Sequence, residues 1–353
     1  MRNRLFIIYL FVILSAGSLS ALTVDVSFDN GGPIDTAFAA TVEAAIVPLI
    51  AQYDNMPDLA RGFGNANTYA SHAATLRGYQ GYDIFAIAVG SMLSVQAPND
   101  DPMFFTELQD ELDTGDIYAG VGGNPAVVQA GLNLGFIIDG LHIAFKFGKF
   151  DYGVDKSDYK IDYKSNLFGG LLNYQIINEK AILSRILLWR GLSLESGFIY
   201  SNNIVSFYKK LDTILIPPTG GYEASVDPSI DLVLDTKTVV IPLEIYTSIR
   251  LLYVLNIGVG GGLDFVPYGR TSFELKSAGP IVLTNTPVAP IGVGTEGTAT
   301  IDAGTSDVEP DKYRPKAMMN LGISAGPIFI DVPATYYFTD NGYAVGISAG
   351  MAW

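Results

Sequence analysis

The chain has 353 residues, no cysteine and a net charge of −15, and 49% of its residues are hydrophobic while only 16% are charged. The absence of cysteine excludes disulfides, thiolate chemistry and cysteine-based zinc sites. The negative charge argues against nucleic acid as a partner. Beyond the N-terminus no stretch of about 18 uncharged apolar residues occurs, which excludes spanning helices there.

Residues 1–21 are predicted to be a secretory signal peptide. Arg2 and Arg4 form its basic start, and Leu5 to Leu14 form its apolar core. Small residues from Ser15 to Ala21 supply the cleavage site. The chain is therefore expected to be exported.

Residues 22–81 form a second region, rich in Ala, Asn and Gly. A helix is predicted after Pro33, capped by Asp35, because apolar residues recur on one helical face. That face holds Phe38, Val42, Ala45, Ile46 and Leu49. A turn at 54–57 precedes a second, weaker helix, and small side chains between Arg61 and Tyr82 would let the backbone approach another surface closely. We expect a plug packed into or under a barrel, or a small periplasmic helical cap.

From Tyr82 onward, large apolar residues alternate with small or polar ones, which indicates strands with two different faces. In a soluble sheet the second face would meet water and carry charged side chains. Here it carries many Gly, Ala and Ser residues, as in a barrel with lipid outside and a packed lumen inside. The predicted strands are 82–96, 125–138, 141–153, 158–177, 190–209, 232–249, 251–275, 314–326, 327–338 and a last one after Asp340. We therefore predict an all-β transmembrane antiparallel up-and-down β-barrel of about 10 strands (range roughly 8–14) over 82–353.

The connections between the predicted strands differ in length. If the first strand runs outward, the outer connections are 97–124, 154–157, 210–231, 276–313 and 339–342, and the inner ones are 139–140, 178–189, 250 and 326–327. The longest connections are then outer and the inner ones are short, with 178–189 as the one exception, as in outer-membrane barrels. An even number of strands places the end of the chain on the inner, periplasmic side. The last strand then presents an apolar signal to the barrel-assembly machinery. The residues of this signal are Tyr343, Val345, Ile347, Ala349, Met351 and Trp353.

Charged residues that face inward in this pattern are candidates for lining the lumen or a pore. They are His142, Lys146, Glu195, Asp264, Lys316 and Asp331. Mixed signs inside a narrow barrel fit pairing with each other or with a plug. A water-filled, selective pore would use the same residues, so both alternatives stay open.

The longest outer loops are acidic. The first carries a possible cation-binding group without any Lys or Arg: Asp100, Asp101, Glu107, Asp110, Glu111, Asp113 and Asp116. Residues 212–235 add Asp212, Glu223, Asp227, Asp231 and Asp235. These carboxylates form either a solvated acidic surface or a face that binds cations such as Ca²⁺.

Signs of enzymatic chemistry are few. His72 and His142 are the two histidines, and each is expected to be structural. The glycine runs at 120–123 and 258–262 do not match a phosphate-binding pattern. The second run instead suggests lumen positions where a plug packs close. We predict no catalytic residue and no cofactor.

One segment carries a family resemblance. The stretch Ala60-Arg-Gly-Phe-Gly-Asn-Ala-Asn, continued by Leu76-Arg-Gly-Tyr-Gln-Gly-Tyr82 before a strand, resembles the spirochaetal surface-antigen (leptospiral adhesin-like) barrels. It is more loosely similar to the plugged fatty-acid transporter barrels. The signal peptide and the terminal aromatic resemble those of outer-membrane barrels in general, which implies an outer-membrane location.

Two functions follow from this reading. The first is passage or uptake of small or hydrophobic molecules through a plugged barrel. The alternative is a surface antigen or adhesin whose acidic outer loops bind host molecules. The expected partners are membrane lipid, the barrel-assembly machinery, and a host surface molecule or hydrophobic ligand. A barrel of ten strands has little open lumen, because side chains already fill the interior of a barrel of about eight strands.

Overall fold

A computed structural model describes residues 23–28, 56–79, 81–97, 120–183, 186–211, 213–219, 222–285, 294, 296–339 and 341–353. This part of the chain forms one helix and fifteen strands. The elements are β1 (Thr23–Phe28), α1 (Met56–Ala70), β2 (Phe85–Gln96), β3 (Gly120–Asn133), β4 (Leu141–Asp155), β5 (Tyr159–Ile177), β6 (Lys180–Leu183), β7 (Leu187–Lys210), β8 (Ile214–Thr219), β9 (Tyr222–Val226), β10 (Ser229–Leu251), β11 (Leu255–Asn285), β12 (Glu296–Val308), β13 (Tyr313–Ala325), β14 (Ile328–Tyr337) and β15 (Gly342–Ala352). The predicted signal peptide and the helix predicted after Pro33 lie outside the described residues.

Ten of the strands close into a ring. Neighbours follow the order β2, β3, β4, β5, β7, β10, β11, β13, β14 and β15, and β15 pairs with β2 to complete the circle. Each neighbouring pair is antiparallel. The predicted all-β antiparallel barrel of ten strands is therefore confirmed.

The wall has an apolar outer face and a polar inner face. On β13, Met319, Leu321 and Ile323 are exposed, whereas the intervening Asn320 and Ser324 are buried. A bilayer covers such an outer face, and the strand period of two places the polar residues inside. The described part of the chain contains no helix long and apolar enough to span a membrane.

The two ends of the barrel differ. At one end, which we call the turn end, the strands are joined by 134–140, 252–254 and 326–327. β3 ends at Asn133 instead of continuing to 138 and turning at Asp139-Gly140, as the sequence had indicated. The Asn133 carboxamide oxygen accepts a hydrogen bond from the Gly135 N–H at 2.6 Å, a local turn that competes with the ladder.

At the other end, which we call the loop-rich end, the sheet continues past the ring. Beyond Phe265, β11 leaves β13 and pairs with β12 from Thr271 onward. β12 in turn pairs with β1, and β9 pairs with both β8 and β11. We call β1, β8, β9, β12 and the parts of β7, β10 and β11 beside them the projecting sheet.

Candidate functional site

The lumen is filled by the chain's own segment 56–79, which we call the plug. It consists of α1 and the nine residues that follow, and every residue from Gly64 to Tyr79 is buried. The helix contacts β2, β3, β7, β10, β11, β12 and β15. The candidate site is therefore the contact between the plug and the inner wall.

Small residues allow α1 to approach the wall closely. A Cβ on Gly120 would lie 2.2 Å from the backbone of Gly62, and one on Gly122 would lie 2.6 Å from Ala66. The Ser94 hydroxyl donates to the Ala66 carbonyl at 2.6 Å. These glycines are on β3.

The glycines of β11 have a different role from the one predicted. A Cβ on Gly258 would overlap the side chains of Tyr246 and Asn320, and one on Gly260 would meet the Tyr246 ring. They therefore make room for side chains of the wall itself. The prediction that the plug packs against Gly258–Gly262 was wrong for these two positions, because bulky neighbours on β10 and β13 take the space.

Hydrogen bonds hold the half of the plug that lies nearer the projecting sheet. The Asn67 carboxamide donates to Thr238 at 3.1 Å and accepts from Asn203. The Tyr69 hydroxyl donates to Gln96 at 2.6 Å. Its ring stacks on Tyr337 with 3.9 Å between centroids. The helix is thus hydrogen-bonded to three strands of the wall, β2, β7 and β10.

Arg314 adds a buried cation at the same level. Its guanidinium donates to the Asn65 side chain and the Thr68 hydroxyl, and it lies 5.1 Å from the centroid of the Tyr69 ring. Arg314 is completely buried. Such a group is stable only when its hydrogen bonds are satisfied, and the helix supplies several of them.

Below this level lies a buried cluster of charges, which we call the ionic centre. Arg77 Nε donates to Glu244 Oε2 at 2.7 Å, and Arg77 Nη2 also contacts the other carboxylate oxygen. Lys316 Nζ lies 2.5 Å from both Glu244 Oε1 and Asp264 Oδ1. His72 Nε2 lies 2.9 Å from Asp264 Oδ2. The plug contributes one arginine and one histidine to a network completed by the wall.

Strand register explains how residues distant in sequence meet here. Glu195 lies directly opposite Glu244, and Glu244 lies opposite Gly262. Gly262 lies opposite Lys316, which is itself paired with Tyr337. One row of cross-strand partners therefore brings four inward side chains to the same part of the lumen, and Asp264 follows Gly262 by two residues on β11.

The ionic centre also resembles a metal site in its residue types. His72, Glu244 and Asp264 place one ligand atom each within 4.8 Å of one another. The Lys316 ammonium lies among them, within 3.2 Å of His72 Nε2 and closer to both carboxylates. The position that a cation would take is therefore occupied by the protein's own lysine.

The six predicted lumen residues all lie on the inner side of the wall. Asp264 and Lys316 belong to the ionic centre. Lys146 Nζ donates to the Ala73 carbonyl of the plug at 2.9 Å. His142 meets the Tyr82 ring edge-on at 4.7 Å between centroids.

The other two predicted lumen residues differ in their partners. Asp331 accepts a hydrogen bond from Asn320 at 2.8 Å within the wall. Glu195 faces Glu244 across the β7–β10 pair. Three of the six residues pair with each other or with the plug: Asp264, Lys316 and Lys146. Whether the six residues line a pore remains a prediction.

Three residues of the site were not predicted from the sequence: Arg77, Glu244 and Arg314. Arg314 has the inward parity of Lys316 on β13, and Glu244 has the inward parity of Tyr246 and Ser248 on β10, so strict parity could have found both. Pro242, two residues before Glu244, obscured that strand. Arg77 lies in an irregular segment with no period to reveal its direction. His72 was expected to be structural and lies in the ionic centre.

The other predicted site residues divide into two groups. The seven acids of the loop from Asp100 to Asp116 lie outside the described residues. The terminal-strand residues lie on the outer face, where Tyr343, Val345, Ile347 and Trp353 are exposed. Their reading as an assembly signal stays a prediction.

These features define a closed antiparallel β-barrel of the membrane type whose lumen holds its own N-terminal plug. The chain belongs to the Lsa36-like family, whose model matches residues 23–353. No curated protein matches the sequence.

Several solved structures are similar in outline. The translocator domain of the autotransporter NalP from Neisseria meningitidis is 9% identical, covers 78% of this chain and 91% of its own, and has a TM-score of 0.31. A Pseudomonas aeruginosa FadL homologue is 9% identical, with coverages of 83% and 98% and a TM-score of 0.26. The Ralstonia pickettii toluene transporter TbuX is 7% identical, with coverages of 83% and 99% and a TM-score of 0.24.

Proposed function

We propose that the protein is an outer-membrane surface-interaction protein, in which the plugged barrel is a mount and the projecting sheet binds the partner. The observation that carries this proposal is strand length. β7, β10 and β11 have 24, 23 and 31 residues. About 9–11 residues cross a bilayer. More than half of each strand is therefore available outside the membrane.

Aromatic residues support the position of the bilayer. Exposed Tyr268, Tyr313 and Phe338 mark one level, and exposed Phe136 and Tyr253 mark the other. Aromatic girdles of this kind lie at the two membrane interfaces. β14, with 10 residues, fits between them. The projecting sheet begins above the first level.

The plug favours a role of the barrel as an anchor and not as a channel. Its side chains bond to several strands of the wall, and Arg77 and His72 join the plug to Glu244 and Asp264 in the ionic centre. A barrel that only anchors a binding surface needs no open pathway. The buried hydrogen bonds and ion pairs between plug and wall instead make the wall rigid.

The chemistry of the proposed partner is basic. The chain carries a net charge of −15, and the predicted outer loops hold many of its acids. Asp227 and Asp231 are exposed there. An acidic surface steers and retains positively charged patches on another protein. A host surface protein with such a patch is the expected class of partner.

Bead adhesion tests this proposal. The full chain in nanodiscs, coupled to beads, is expected to bind cultured epithelial cells, and binding should weaken as salt rises. A variant that replaces the β8–β9 hairpin (213–228) with a short turn should bind less. The matched control shortens the opposite connection at 134–140 and should bind like the native chain. Equal binding by both variants would refute the proposal.

Passage of small or hydrophobic molecules is the second candidate. The observation that favours it is that the plug is held through charges and hydrogen bonds, which water can replace when a segment moves. Planar-bilayer conductance of the full chain separates the two functions. Passage predicts channel openings that increase in an Arg77→Ala variant, whereas a mount predicts a closed native barrel.

A further inference from the structure

The first described strand of the chain, β1, lies at the loop-rich end of the barrel. β1 pairs antiparallel with β12 at six successive positions, from Thr23 opposite Asp302 to Phe28 opposite Gly297. The same residues of β12 pair with β11 between Lys276 and Ile281, well past the point where β11 leaves the ring. β1 therefore lies in the projecting sheet, at the loop-rich end.

The plug descends from that end to the other. Leu59 packs against Leu232 and Leu234, at the start of β10. Asn67 bonds to Thr238, Arg77 to Glu244, and the Gly78 carbonyl to Ser248. Contacts advance along β10 in step with the plug, so the two run in the same direction.

β11 gives the same direction independently, because it runs antiparallel to β10. A Cβ on Gly64 would touch Thr271, His72 lies against Asp264, and Tyr79 accepts from Asn256. The partner numbers fall as the plug numbers rise. Tyr79 then stacks on Phe329 at the turn end, with 3.8 Å between centroids. β2 starts nearby at Phe85.

Residues 56–79 thus run through the lumen from the loop-rich end to the turn end. We propose that the barrel carries its own N-terminal segment across the membrane and holds β1 at the loop-rich face. The inference uses the membrane orientation of the proposed function. In that position β1 adds the exposed Asp25 to the acidic outer surface.

The burial of the ionic centre agrees with this route. Glu244, Asp264 and Lys316 are almost completely buried in the wall. Arg77 reaches Glu244 only when the segment lies inside the ring. A buried carboxylate without its partner is costly, so closure of the barrel and threading of the plug stabilise each other.

Single cysteines provide the test, since the chain has none of its own. Asp25, Asp139 and Asp158 are all exposed, in β1, at the turn end and at the loop end respectively. Asp25→Cys, Asp139→Cys and Asp158→Cys are treated on intact cells with a membrane-impermeant maleimide. Asp25→Cys and Asp158→Cys are expected to react at once. Asp139→Cys should react only after the membrane is permeabilised.

The outcome for Asp25→Cys is judged by which control it follows. Reaction together with Asp139→Cys would overturn the inference and leave the proposed function intact. If Asp139→Cys reacts on intact cells and Asp158→Cys does not, the orientation in the proposed function is refuted, while reaction of Asp25→Cys with Asp158→Cys still supports threading.

A cross-link gives a second measurement without any label. Ser27 lies directly opposite Thr298, and both are exposed. The pair Ser27→Cys and Thr298→Cys is expected to form a disulfide that changes mobility on a non-reducing gel. Ser27→Cys with Ile328→Cys, at the turn end, should not. Cross-linking to position 328 instead would contradict the path.

Discussion

At the scale of single residues, the two arginines of the plug segment give opposite expectations for the same substitution. Arg77 is bonded to a buried Glu244, whereas Arg61 contacts Asp58 at 3.4 Å with both side chains partly exposed. Arg77→Ala leaves a buried carboxylate short of a partner and should lower the free energy of unfolding by about 3–5 kcal/mol. Arg61→Ala should cost about 0–1 kcal/mol. Urea unfolding in detergent micelles checks both; equal costs would contradict the ionic centre.

The ionic centre also shows how far sequence reasoning reaches. Strand parity placed Asp264 and Lys316 inside, because a period of two fixes the direction of every side chain once one is known. It could not pair them, since pairing depends on register between strands far apart in the chain. Arg77 was out of reach because the residues after α1 have no period.

At the scale of elements, α1 and β3 are matched by the absence of side chains. A methyl group on Gly122 would lie 2.6 Å from the Ala66 backbone. Gly122→Ala should therefore push the helix away and lower the free energy of unfolding by about 1–3 kcal/mol. The control is Gly261→Ala, whose nearest neighbour is the Lys316 carbonyl at 3.6 Å. That variant should differ by at most ~0.5 kcal/mol.

The ends of elements were the hardest part to predict. Alternation on its own gave ten strands near their observed positions, because lipid outside and side chains inside impose it on each one. The sequence reading ended the long strand at 275, whereas β11 continues to Asn285. Beyond the membrane, both faces of β11 meet water or protein, so the pattern that marks a strand in the wall weakens there.

At the scale of the whole molecule, the plug is both seal and support, which predicts two linked effects of its removal. A chain from which residues 56–81 are deleted loses the buried bonds to Gln96, Thr238 and Glu244. Water would take their place in the lumen. Such a barrel should conduct ions in planar bilayers and unfold at lower urea, while the full chain stays closed. The control deletes the β8–β9 hairpin (213–228), which is outside the ring, and should leave the barrel closed and nearly as stable. A barrel that remains closed without residues 56–81 would mean that the wall collapses on itself, and the plug would then be a passenger of the barrel rather than its core.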